Sequence, residues 1–204
     1  MIVKLIACLL LFVPLHAQQK SRVLYSNGKI RAEGIKNETQ KVGEWKYFYP
    51  DGTRMAIENY RDGKLDGDVT YFYPTGSIQG IEHWEMGDLT DSARYYHPDG
   101  KIERLGRYEK GQYDGPWKYF HLNGQVERIL YYRNGLPTGE VKIFGEQGKL
   151  LQAGSYLQGK EDGYWEFYTE DGQLNYSGHY KNGERVGEWF EYDRKGRKKP
   201  WKYK

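Results

Sequence analysis

The residues of this 204-residue chain that could do chemistry recur at a fixed spacing, and the spacing decides most of what they can do. Asp51, Asp99 and Asp171 fall at one and the same position of a repeated segment, just before a glycine. That is where a turn uses an aspartate to accept a local hydrogen bond, so we read them as turn residues and not as an acid–base pair. His97 and His121 are 24 residues apart and share one repeat position. His83 and His179 share another. Equivalent positions in adjacent repeats of paired strands lie roughly 10 Å apart, too far to share a zinc ion with bonds of about 2 Å. Neither a phosphate-binding loop nor a serine nucleophile elbow is present in the sequence. The expectation is therefore no catalytic residue, no metal and no cofactor. What remains is a ladder of aromatic residues, from which Trp84, Tyr95, Trp117, Trp165 and Trp189 are the binding candidates. Exposed rings at regular spacing stack on sugars, hold cationic groups or anchor a protein partner. The competing reading is that most of them pack a thin sheet.

The elements that must position these residues follow from the period. Units of 24 residues start at Gly43, Gly67, Asp91, Gly115, Gly139, Gly163 and Gly187, with no insertion or deletion between them. Each unit has a strand such as Glu44-Trp45-Lys46-Tyr47-Phe48-Tyr49, a turn such as Pro50-Asp51-Gly52, and a second strand ending on an aromatic such as Tyr60. A second, looser turn around Arg61-Asp62-Gly63-Lys64 leads into the next unit. The first turn suits a type I turn closed by a left-handed glycine, because proline pre-sets φ and aspartate accepts a local bond. The composition agrees: there are 26 Gly and 20 Tyr, and aromatics make up 16% of the chain. The reading is an all-β, elongated array of tandem antiparallel β-hairpins forming an open meander sheet.

Pairing across the first turn places Phe48 opposite Arg54, Phe72 opposite Ile78, Phe120 opposite Val126 and Tyr168 opposite Leu174. Strict alternation from there puts Tyr60, Trp84, Tyr108, Tyr132, Tyr156 and Tyr180 on the Phe48 face. It puts Ile57, Ile81, Leu105 and Ile129 with the tryptophans on the other. The uniform stripe Phe48, Phe72, Tyr96, Phe120, Phe144, Tyr168 and Tyr192 then reads as the structural one. The tryptophan face is interrupted by Val69, Ala93 and Val141 and reads as the variable one. Units two and three diverge most, with Asp91-Ser92-Ala93 in place of Gly-x-Trp and Trp84 beside it.

Residues 1–17 differ in kind. One basic residue, an apolar run from Leu5 to Leu15 and a small residue at Ala17 read as a secretory signal peptide cleaved between Ala17 and Gln18. Leu5-Ile6-Ala7-Cys8 matches a lipobox and offers lipid attachment at Cys8 as the lesser alternative. Cleavage removes the only cysteine, so the mature chain has no disulfide and no thiolate site. Residues 18–42 read as a degenerate capping repeat, 43–196 as the repeats proper and 197–204 as a basic tail. Asp193–Lys204 carries seven basic residues against one acid, so the overall +3 charge belongs to that end. Such an end attracts anionic lipid, or is simply solvated; for an exported chain, nucleic acid is not an expected partner.

The pattern Gly-x-Trp-x-x-aromatic-aromatic-x-x-Asp/Asn-Gly, followed by Tyr-Lys-Asn-Gly and a further glycine, resembles the MORN repeat. Tyr180 to Trp189 and Tyr60 to Gly67 carry it most clearly. The variant form in YwqK-type bacterial antitoxin (immunity) proteins is closer still. The resemblance implies hairpin arrays used for binding and scaffolding. The expected function is that of an exported, non-enzymatic protein-binding or scaffolding module, located in the periplasm or cell envelope of a bacterium. The alternatives are a surface-glycan or cell-wall binder and an immunity protein that neutralises a toxin.

Overall fold

In a computed structural model, residues 18–202 are described, and all their regular structure is β. The signal-peptide reading, with Ala17 and Cys8, lies outside those residues; Gln18 opens the first strand. The strands pair antiparallel with their sequence neighbours from Gln18–Leu24 to Lys198–Trp201, giving one open meander sheet. In unit one, strands Gln40–Phe48 and Arg54–Arg61 form a hairpin.

Both turns are set by local chemistry. At the first turn Tyr49 N donates to Thr53 O at 2.8 Å and Gly52 N to Tyr49 O at 2.8 Å, with Gly52 at φ 97°. Asp51 Oδ1 accepts from Thr53 N at 2.8 Å, and Asp99 does the same for Lys101 N at 3.1 Å, as the turn reading expects. The second turn is tighter than its sequence implies. Arg61 pairs directly with Lys64, and Asp62 and Gly63 both have positive φ, the type I′ geometry that matches strand twist. Its glycine also links units. Gly63 N donates to Lys41 O at 3.0 Å, and Gly111 N, one example further on, to Leu89 O at 2.7 Å. At the opposite edge Tyr25, Tyr49 and Tyr73 donate phenol protons to the carbonyls of Phe48, Phe72 and Tyr96 at 2.7–2.9 Å. His97 and His121 continue this ladder with Nε2 on the carbonyls of Phe120 and Phe144. The first five seams are thus stapled at both ends.

Lys110 holds the left-handed first position of a type I′ turn at φ 49°, where Asn134 and Asn182 stand in other units. A lysine there carries a Cβ clash that asparagine tolerates better. Lys110→Asn is therefore expected to raise stability by about 0.5–1 kcal/mol, read from the denaturant midpoint.

Two bulges per unit correct the assignment of faces. Tyr47 pairs with Ala56 but Phe48 with Arg54, so one extra residue follows the first turn. A single inserted residue inverts the parity of everything after it. Tyr60, Tyr108, Tyr156 and Tyr180 therefore lie on the tryptophan face, packed edge-on against Trp45, Trp117, Trp165 and Trp189 at centroid distances of 5.1–6.4 Å. Ile57, Ile81, Leu105 and Ile129 move to the Phe48 face, opposite Lys46, Thr70, Arg94 and Lys118. The second bulge lies in the seam between units. Arg107 pairs with Asp114 and Leu105 with Lys118, so Gly115, Pro116 and Trp117 all oppose the single residue Gly106.

The buried face is the tryptophan face. Trp45, Val69, Ala93, Trp117, Val141, Trp165 and Trp189 are each no more than 2% exposed, whereas the Phe48 stripe is only half-buried. The basic end is not merely a solvated tail: Lys198–Trp201 pairs with Glu184–Tyr192, and Trp201 packs on Tyr176 and Trp189.

Candidate functional site

The seam bulge explains why tryptophan alternates with small residues. Each indole folds back across the seam over a glycine eleven residues earlier: Trp45 over Gly34, Trp117 over Gly106, Trp165 over Gly154, Trp189 over Gly178. A Cβ added to any of these glycines would come within 2.1–2.4 Å of the indole. Each indole N–H donates to the carbonyl just after that glycine, from Trp117 to Arg107 O at 2.9 Å and from Trp189 to His179 O at 3.2 Å. In the three seams without tryptophan, the glycine is replaced by Glu58, Glu82 or Leu130, and these face Val69, Ala93 and Val141. The same volume is filled from one strand or from the other.

This rule disposes of three candidates. Trp117, Trp165 and Trp189 are buried seam fillers and offer no exposed ring to a ligand. The other two converge. Tyr95 Oη donates to Glu82 Oε1 at 2.6 Å and Trp84 Nε1 to Glu82 Oε2 at 3.1 Å. Tyr71 sits against Glu82 and Glu58, and burial and these carboxylates push its phenol up. Glu58 accepts from Tyr60, whose hydroxyl is 3.1 Å from that of Tyr47. Tyr95 and Tyr108 repeat that contact at 3.1 Å. Units one to three thus carry a continuous strip of phenols and two half-buried glutamates on the face that elsewhere is filled by indoles. Sequence reasoning missed both glutamates. The signal was present: the glycine column of Gly34, Gly106, Gly154 and Gly178 breaks where the next tryptophan is lost.

Cations complete the face. Lys41 Nζ stands 4.6–5.1 Å from the ring centroids of Trp45, Tyr47 and Tyr60, and it bonds to the hydroxyls of both tyrosines. Burial pulls its pKa down, partly offset by Glu58. Arg104 lies 4.1 Å over Tyr95, Arg128 4.3 Å over Tyr119, and Arg185 4.9 Å over Trp189. On the opposite face His83 Nδ1 meets Asp68 Oδ1 at 2.8 Å, and His179 lies beside Tyr164, so both histidines have local partners.

The phenol strip makes a pH prediction. Burial raises the Tyr47 phenol to about 12 from an ordinary 10.0, and it pushes Tyr60, Tyr71 and Tyr95 up as well. Their contribution is fully present below about pH 10, where the unfolded phenols are still protonated. It is lost as pH rises through the folded-state value, because the unfolded chain then releases protons that the folded chain retains. Alkaline unfolding is expected between about pH 10 and pH 12. The full phenolate absorbance of the chain should be reached only with loss of the β spectrum, and complete phenolate formation in a fully folded chain at pH 11 would contradict this assignment.

Comparison with known proteins bears on the repeats. No curated protein matches the sequence. Among solved structures, a GtfA/B complex bound to UDP and GlcNAc aligns at 14% identity and a TM-score of 0.25, over 55% of this chain and 22% of that one. The TcdB2-TccC3-TEV structure aligns at 11% identity and a TM-score of 0.25, over 89% of this chain and 12% of the other. The Photorhabdus luminescens Tc holotoxin pore gives 12% identity, the same TM-score and the same coverages. The chain spans less than a quarter of the length of each. The MORN repeat variant family matches at residues 41–62, 65–86, 92–110, 113–134 and 161–182, together more than half of the sequence, with the 24-residue hairpin and its glycine turns in register. On that match the chain belongs to the MORN repeat variant family, whose repeats are generally protein- or membrane-interacting modules.

Proposed function

We propose that this is an exported, non-enzymatic repeat protein whose sheet serves as a protein-binding module in the bacterial cell envelope. The observation that carries the reading is the departure of the two seams that join units one, two and three from the glycine–tryptophan rule. There the seam is filled by Glu58 and Glu82, which bring polar, hydrogen-bonding chemistry onto an aromatic face. The side chains that sequence alone offered for catalysis have other work: Asp51 and Asp99 close turns, and His97 and His121 staple seams. Burial of Trp117 and Trp165 takes from the glycan reading the rings on which it rested. The signal-peptide-like residues 1–17 support export.

The test has two arms. Mass spectrometry of the chain recovered from its native cell should find Gln18 at the mature N-terminus, in the envelope fraction. Immobilised residues 18–204 should then retain one envelope protein in stoichiometric amount, with binding reproduced by the purified pair. A cytoplasmic, uncleaved chain, or folded protein that retains nothing, would defeat the proposal.

A further inference from the structure

The tryptophan face seats a cation of the chain itself in units one, three, four and seven, on Trp45, Tyr95, Tyr119 and Trp189 respectively. Among the described residues units two, five and six show no such cation, and in unit two the cause lies at two positions. Leu65 stands where unit one has Lys41, and Gly80 stands opposite Tyr71, where Arg104 and Arg128 stand opposite Tyr95 and Tyr119. The Tyr95 ring closes over Gly80. Unit two nevertheless has the rings, Tyr71 and Trp84, and it adds Glu82, with Glu58 just across the seam. Among the described residues neither glutamate is in an ion pair, although twelve other carboxylates are. Unit one shows what this architecture does with a positive charge: the Lys41 ammonium rests among three rings, with phenol oxygens as acceptors.

We propose that Glu58 and Glu82, with Tyr71 and Trp84, form a binding site for an alkylammonium group presented by a lysine side chain of the protein partner. This deepens the protein-binding reading above and rests on it for the source of the cation. The chemistry is that of the Lys41 cage with its charge supplied from outside. Ring faces attract the cation, and the two carboxylates neutralise it in a half-buried setting where the attraction is screened less than in bulk water. The hydrogen bonds from Tyr95 and Trp84 fix the Glu82 carboxylate in place before a ligand arrives.

The test is a titration of residues 18–204 that follows the indole N–H resonance of Trp84, assigned with a Trp84→Phe variant. The probes are acetyl-Gly-Lys-Gly-amide, its norleucine twin and spermidine. The lysine peptide should move the resonance saturably while the norleucine twin does not, and added salt should weaken the effect. Glu82→Gln and Glu58→Gln keep an acceptor oxygen for the phenols and should preserve the β spectrum, yet each should weaken binding about tenfold. An unmoved resonance, equal movement with norleucine, or undiminished binding in both variants would overturn the site. Binding of spermidine without the lysine peptide would overturn the assignment to a partner's side chain. A partner protein held equally well by the double variant would reject the site and leave the binding-module reading standing. Peptide binding with no protein partner retained would do the reverse.

Discussion

Trp117→Ala is expected to cost about 3–5 kcal/mol, the range for removing a large aromatic side chain from a packed interior. Trp117 is 0% exposed, donates its indole proton to Arg107 O at 2.9 Å, and meets Tyr113 and Tyr108 edge-on at 4.3 and 5.1 Å. Three things go at once: the ring contacts, the hydrogen bond, and the filling above Gly106. No second layer of structure can collapse into the gap, because the sheet is a single layer. Position in the array matters as much as burial. A repeat array is stabilised by its units and by the interfaces between neighbours, so a broken central seam uncouples the two halves. Urea unfolding of the variant should therefore broaden or split into two transitions. A single sharp transition within about 1 kcal/mol of the native chain would mean that the indole is not the seam's principal filler.

The second large effect is a pair of penalties that cancel. Gly154→Leu alone is expected to cost about 3 kcal/mol, since even the first carbon of the new side chain would lie 2.1 Å from the Trp165 ring. Trp165→Val alone leaves a seam cavity and should cost about 2–4 kcal/mol. Made together, the two reproduce the Leu130/Val141 combination of the preceding seam, where the filler comes from the other strand. The double variant is expected within about 1 kcal/mol of native, a coupling of about 4–6 kcal/mol that exceeds the range usual for contacting residues because the two side chains compete for one volume. Simple addition of the two penalties would show that the exchange of filler between strands is not what relates the two kinds of seam.

The glutamates fit the same scheme. Glu58 and Glu82 occupy the Leu130 position of their own seams, and a leucine there would be a simpler filler. A carboxylate at that place takes hydrogen bonds from Tyr60, Tyr71, Tyr95 and Trp84, and it leaves charge on a face that is otherwise apolar or cationic. That is why the recognition chemistry is placed here, and not on the tryptophans that first draw the eye.

Much of the architecture was legible from residue order. The first-turn reading of Tyr49–Thr53 holds to the hydrogen bond, and Phe48 faces Arg54 as counted from that turn. The second turn is tighter than its residues suggest, because left-handed Asp62, Met86 and Lys110 share no residue type, only a following glycine. Strict alternation puts Tyr60 and its equivalents on the wrong face by one residue: alternation has a memory of two, and the bulge after Phe48 resets it. Two of the five aromatic candidates, Trp84 and Tyr95, do come together, but on a glutamate that no sequence argument had singled out.

The amino-acid sequence by itself determined the period, the strands, the glycine turns and the stacking of hairpins, because each depends on residues within one unit and on local backbone sterics. The tertiary structure alone decided which face is buried, and that Glu58 and Glu82 stand where indoles would otherwise close the sheet. Those outcomes depend on a bulge that sets three residues against one. They depend also on a volume shared across a seam by residues eleven positions apart, which neither strand specifies without the other.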